Sequence, residues 1–115
     1  MRRGDVFWAD LSPRTGSEQQ GRRPVIIVSN DGFNRTLGWR SLIVVPISRS
    51  TGQARRGPTA VPLDEGTAGL KSPGVALCHQ VTTLDRAKLR DRIGVLAGGV
   101  LAQVDGGLKA ALDLE

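Results

Sequence analysis

The chain has little with which to cross-link itself, ligate a metal or build an aromatic core. Its 115 residues include one Cys, one His, two Phe, two Trp and no Tyr. A single cysteine excludes an internal disulfide and suits a reducing, cytoplasmic setting. Cys78 and His79 adjoin, but a zinc site needs a full tetrahedral set and the sequence offers no further Cys or His. No metal or other cofactor is therefore expected. No apolar run approaches the ~18 residues of a membrane helix, so no membrane association is expected. The basic start at Arg2-Arg3 leads into no apolar stretch of the kind a signal peptide carries. With 39% hydrophobic residues and so few aromatics, the core must be Val, Leu and Ile. At 115 residues the chain is one domain, 1–115, large enough to hold a core without staples.

Lysine is scarce too, three against thirteen arginines, and charge is unevenly spread. Residues 1–58 hold ten Arg and four acids, a balance of +6, whereas residues 59–115 hold six basic and seven acidic residues, a balance of −1. A GC-rich genome accounts for the Arg/Lys ratio but not for where the acids fall. The asymmetry points to a polyanion on one face, nucleic acid before membrane, because no basic amphipathic helix is present.

Short strand-like runs dominate. Residues 5–11 alternate, Val25–Ser29 is continuously apolar, and Asn30-Asp31-Gly32 reads as a turn. Ser41–Ile47 is β-branched, with Pro46 suggesting an edge or a bulge. Thr59–Leu63, Val75–Leu84 and Arg92–Leu96 complete the strands, and Asp85 can cap a short helix running to Arg90. From Gly99 onward Val100, Val104, Leu108 and Leu112 recur at helical spacing, weakened by Gly106-Gly107. Many short strands and one terminal helix predict an α+β fold, mainly β: a small antiparallel β-barrel, partly open, with a C-terminal helix.

Two segments carry the chemistry. Arg3-Gly4-Asp5-Val6-Phe7-Trp8-Ala9-Asp10-Leu11 leads through Ser12-Pro13-Arg14-Thr15-Gly16-Ser17-Glu18-Gln19-Gln20-Gly21-Arg22-Arg23-Pro24 into the apolar Val25–Ser29 run. The connection is about a dozen residues long, where hairpins in compact domains usually take two to five or so. Its donors, acceptors and arginines suit closure over an anion, as well as a plain solvated loop. The second segment is Gly74-Val75-Ala76-Leu77-Cys78-His79-Gln80-Val81-Thr82-Thr83-Leu84-Asp85.

The ordered string GSEQ-x-G-x-R-P after an RGDV-aromatic strand, with the later Gln and T-L-D ending, resembles the MazF/PemK family of toxins from bacterial toxin–antitoxin pairs. The resemblance is strongest in residues 3–30 and 74–96. It implies an SH3-like barrel, a homodimer, a MazE-like acidic antitoxin as partner, and metal-independent endoribonuclease activity on single-stranded RNA (mRNA). In that chemistry the RNA 2′-hydroxyl attacks the neighbouring phosphorus, leaving a 2′,3′-cyclic phosphate and a 5′-hydroxyl. Arg23, before Pro24, falls on the family's catalytic arginine; a surface ion pair is the plain alternative. Ser48 falls where the family usually has a catalytic threonine, keeping the hydroxyl and losing the methyl that restricts its rotamer; Thr51 lies close enough to compete. Glu18 falls on a carboxylate placed near the scissile phosphate, where it could accept the 2′-hydroxyl proton or simply shape the loop.

RNA contacts are expected from Gln19, Gln20 and Arg22 in the first loop, from Arg49, Arg55 and Arg56 in the second (residues 48–58), and from His79 and Gln80. His79 departs from the family's acidic residue, so it could titrate near neutrality, retune base choice or be structural. Trp8 is expected in the core and Phe33 on a base-stacking surface. A CcdB-like toxin that poisons a protein target such as gyrase is the competing function, disfavoured because the GSEQ-x-G-x-R-P loop belongs to the ribonuclease branch. An SH3-like peptide-binding module would want more aromatics in its groove.

Overall fold

The computed structural model describes all 115 residues. Seven antiparallel strands form one sheet: β1 (Asp5–Asp10), β2 (Arg22–Ile27), β3 (Ser41–Ser48), β4 (Ala60–Leu63), β5 (Gly74–Leu77), β6 (Thr82–Asp85) and β7 (Leu89–Val95). Their order is β4-β5-β3-β2-β1-β7, with β6 also on β3. β4 and β7 are the ends and do not pair, so the sheet is open, further from closure than the partly open barrel expected. The class stands: a mainly β, α+β fold with a C-terminal helix. Two short helices complete it, α1 (Asp31–Asn34) in place of the expected turn and α2 (Gly98–Leu112) at the end. No helix is long and apolar enough to cross a membrane.

Three departures from the sequence expectations matter for the site. First, β2 begins at Arg22, because β1 pairs along its whole length, with Asp10 opposite Arg22 and Ala9 opposite Arg23. Both arginines are thus on a strand. Second, the expected strand 75–84 is two strands separated by a 3-10 turn at Cys78–Gln80. Third, Pro46 lies in the middle of the sheet and not on an edge. β3 spends Ser41–Val44 on β6 and Ile47–Ser48 on β5, and the proline, which has no N–H to give, falls where one partner hands over to the other.

The sheet has a core on each face. Val6, Ile26, Val45, Ile47 and Val61 meet α2 through Val104, with Val100, Leu101 and Leu108 alongside. Leu112, expected in that contact, is 55% exposed as the last residue of the helix. Ala9, Leu11, Val25, Ile27, Leu42, Val44 and Leu84 fill the other face. Alternation along β2 therefore sends Arg22, Pro24 and Ile26 to the helix side and Arg23, Val25 and Ile27 to the opposite side. The RGD string is structural. Arg3 donates to both carboxylate oxygens of Asp105 on α2 and to the Val28 carbonyl. Gly4 adopts φ +97°, and the buried Asp5 accepts from the Arg2 amide and from Arg92.

Candidate functional site

The β1–β2 loop folds back onto the break between β5 and β6. Around a cavity of about 230 Å³ it contributes Leu11, Arg14, Glu18 and Gln19, while Pro46, His79, Gln80, Val81 and Thr82 come from the sheet. The loop is held at several points. Leu11 donates its amide to the Gly21 carbonyl at 2.9 Å, closing the neck, and Lys88 donates to the Ser12 carbonyl at 3.0 Å. Arg14 donates to the Leu11 carbonyl and to Thr82 Oγ1, and lies 3.6 Å from Glu18 Oε2. Gln80 Oε1 accepts from the Gln19 amide at 2.9 Å, and Gln80 Nε2 donates to the Ser17 carbonyl at 3.0 Å. His79 is exposed at the rim, and beneath it Cys78 is buried. Burial, and secondarily the Asp105 charge, pushes the Cys78 thiol up to about 11.

A second cavity, of about 320 Å³, opens on the helix side of the sheet. Trp8, Pro24, Ile47, Leu70 and Ile93 give it an apolar wall, and Arg22, Arg49 and Lys71 ring it with positive charge. Trp8 is half-buried here and not in the core: Arg22 lies over its ring, 4.4 Å from the centroid. Arg22 also reaches Asp91 across exposed surface, at 3.6 Å.

Arg23 lines neither of these cavities. Its Nε donates to the Gln20 carbonyl at 3.0 Å, which turns the exposed Gln20 and the loop exit toward it. On the β2–β3 ladder Val25 lies opposite Pro46 and Ile27 opposite Val44. Arg23 and Ser48 each stand two residues beyond the Val25–Pro46 pair, so strand alternation carries both toward the same end and face of the sheet. Ser48 is 4% exposed, and its Oγ accepts from the Ser50 amide and from Gln53 Nε2, both at 3.0 Å. That leaves its own O–H as a donor. The following loop forms a 3-10 turn at Thr51–Arg56, with Arg55 and Arg56 exposed at its end.

The expected residues thus fall into two groups. Glu18, Gln19, His79 and Gln80 share one cavity; Arg22 and Arg49 border the other; Arg23 stands with Ser48 at the strand ends from which both loops leave, Ser48 also touching the edge of the helix-side cavity. Phe33 is 44% exposed and stacks on Trp39, with centroids 4.7 Å apart, away from both groups. Sequence reasoning missed Arg14, Gln53, Lys71 and Thr82. Arg14 was legible as part of the polar loop. The other three had no local signal, because only the meeting of distant segments gives them roles.

The sequence matches the family described as PemK-like, MazF-like toxin of type II toxin–antitoxin system over residues 2–112. Endoribonuclease EndoA of Bacillus subtilis (strain 168) is 39% identical over 114 residues, covering 99% of this chain and 96% of its own. Among solved structures, MazF of Deinococcus radiodurans superposes with a TM-score of 0.79 at 29% identity, over 99% of this chain and 97% of its own. A MazE–MazF structure from the same organism superposes with a TM-score of 0.74 at 28% identity, over 100% and 97%.

Proposed function

This chain belongs to the PemK-like, MazF-like toxin family of type II toxin–antitoxin systems, and from that membership we propose that it is a toxin acting as an endoribonuclease on single-stranded RNA, in the cell mRNA. The observation that carries the proposal is the junction of the Ser17-Glu18-Gln19 loop with the β5–β6 break, beside the strand ends that bear Arg23 and Ser48. Unpaired RNA can be splayed over such a surface, with bases in cavities and phosphates on arginines.

The RNA brings its own nucleophile. Its 2′-oxygen attacks the adjacent phosphorus, the bond to the 5′-oxygen breaks, and the products are a 2′,3′-cyclic phosphate and a 5′-hydroxyl. The protein's task is to orient the strand, hold the extra negative charge on phosphorus and move two protons, one off the 2′-oxygen and one onto the leaving oxygen. A planar, permanently charged guanidinium at Arg23 suits the charge. The free O–H of Ser48 suits a second donor, and the half-exposed carboxylate of Glu18 suits acceptance of the 2′-hydroxyl proton. Gln19, Gln20 and His79 would meet bases, with Gln80 beside them in the same cavity, and Arg22, Arg49, Arg55 and Arg56 the backbone. No metal is called on in this scheme, because Arg23, Ser48 and Glu18 between them address the charge and the proton transfers.

The partner we propose is a MazE-like antitoxin with an acidic segment that folds onto the basic half of the chain and blocks it. The working unit is a homodimer, which would bring two such surfaces into one assembly. No observation favours a CcdB-like poison of a protein target.

The experiment is to incubate purified protein with a defined mixed-sequence RNA in EDTA and map the new ends. Cleavage at a recurring motif with cyclic phosphate and 5′-hydroxyl ends is expected, with DNA of the same sequence left intact. Equal cutting of DNA would overturn the 2′-hydroxyl chemistry, and dependence on added metal would overturn metal independence.

A further inference from the structure

We infer that Gln80 is a positioning residue: its side-chain amide latches the β1–β2 loop against the β5–β6 break and so determines which RNA base the adjoining cavity accepts. The second half of that statement rests on the ribonuclease reading above.

The latch has a definite geometry. Gln80 Nε2 donates to the Ser17 carbonyl at 3.0 Å and Oε1 accepts from the Gln19 amide at 2.9 Å. A flipped amide would set two acceptors together and two donors together, so only one orientation satisfies both groups. Donation to one residue and acceptance from the next but one is the pattern of a parallel β-bridge. The side chain of Gln80 thus stands in for a strand residue, and the residue it brackets is Glu18. Both neighbours of Glu18 are pinned, while its own carboxylate reaches Thr15 Oγ1 at 3.3 Å and Arg14 at 3.6 Å.

These contacts span more than sixty residues of sequence. The other ties between loop and body lie toward the neck, at Leu11, Ser12 and Arg14 on one side and at Gln20, which accepts from Arg23, on the other. At the tip between them, the backbone at Ser17 and Gln19 is held to the body by Gln80. Gln19 and Gln80 line the same cavity and are joined by that hydrogen bond, so releasing the tip frees the Gln19 part of the cavity wall to move. A base pocket with one mobile wall binds several bases comparably, whereas a fixed wall leaves the wrong base with unmade hydrogen bonds.

The test compares wild type, Gln80→Ala and Gln80→Glu by two measurements. The first is hydrogen exchange at the Gln19 amide in the free protein. The second is kcat/KM on an RNA carrying the mapped motif and on RNAs with one motif base replaced. In Gln80→Ala, Gln19 exchange is expected to rise about tenfold, the scale of one lost hydrogen bond, and discrimination among the RNAs to fall by about the same factor through KM, with the thermal midpoint unchanged. Gln80→Glu keeps an acceptor for Gln19 and loses the donor to Ser17, so its exchange should lie between the two. Unchanged Gln19 exchange in Gln80→Ala overturns the latch. Faster exchange with unchanged discrimination overturns the specificity role. Wild type that cuts no RNA overturns the ribonuclease reading alone, because the exchange result stands without RNA.

Discussion

Gly107 of α2 rests directly on Cys78: a Cβ added to the glycine would lie 2.7 Å from the cysteine sulfur and 3.1 Å from Val61 Cγ2. Its neighbour Gly106 faces open space, with nothing within 4 Å of the same position. The two glycines should therefore respond to alanine with opposite signs. Gly106→Ala gains helix propensity with no clash and should stabilise by about 0.8–1.0 kcal/mol. Gly107→Ala gains the same amount but must force the Cys78 turn away from the helix, and overpacking typically costs about 1–3 kcal/mol. Its net effect should be destabilising by up to about 2 kcal/mol. Urea unfolding of the two variants checks this, and stabilisation by Gly107→Ala would refute the contact.

That pair also shows what the sequence could and could not disclose. Read locally, Gly106-Gly107 only weakens a helix. The reason for Gly107 lies in the turn at Cys78–Gln80, and that turn was itself hidden within what reads as one strand from Val75 to Leu84. The periodic elements were legible: β1, β3, β4 and α2 stand within a few residues of their sequence limits, because each has a face to bury, and β7 does so although none of its residues is fully buried. The long polar connection was legible by its length. Beyond pattern, the site came from a resemblance in motif; no local signal says that Gln80 meets Gln19 or that Gln53 meets Ser48. Incomplete closure was legible, but not how far the sheet stands open, since that depends on whether β4 reaches β7.

Asp31 ties the β2–α1 turn to the amino terminus, accepting from the Arg3 amide at 2.7 Å and from Asn34 Nδ2 at 3.1 Å. The Arg3 hydrogen bond first, and then that from Asn34, hold its carboxyl below the ordinary carboxylate value. Its folded-state pKa thus lies below its unfolded one, so the stability it adds is present above the unfolded value of about 4 and is lost as pH falls through the folded value. Asp31→Asn keeps an oxygen acceptor and removes the titration. The variant should melt below wild type near neutrality, with the gap closing as the pH drops under about 4. A gap constant from neutral to acid would show that the charge at Asp31 contributes nothing.

Ser48 could act on RNA or only anchor its loop, and two variants separate these roles. Both Ser48→Ala and Gln53→Ala break the Ser48–Gln53 hydrogen bond, but only the first removes the hydroxyl. If the hydroxyl donates to the reacting phosphate, Ser48→Ala should lower kcat by ~10²–10³, the loss typical of one preorganised donor. Gln53→Ala should then lose less than about tenfold, as one ordinary hydrogen bond would, and Ser48→Thr, which restores the family's usual residue, should remain active. Equal losses in the first two variants would make Ser48 an anchor and remove it from the chemistry.

Arg22 and Arg23 are adjacent in sequence and leave β2 on opposite faces, so they should fail in different ways. Arg22 covers Trp8 and borders the helix-side cavity. As a phosphate contact it should govern binding: Arg22→Ala should raise KM, leave kcat near wild type and lessen the slope of log affinity against log salt by about 0.7. In a Trp39→Phe background the same change should alter the emission of Trp8, which loses the guanidinium stacked on its ring. Arg23 makes no ion pair and gives only Nε to the Gln20 carbonyl, so its two terminal nitrogens are free to meet a phosphate. Arg23→Ala should therefore lose kcat by at least ~10² while melting as wild type does. Should the losses be reversed, with Arg22→Ala abolishing turnover and Arg23→Ala only weakening binding, the reacting phosphate lies on the helix side of the sheet, at the Trp8 cavity.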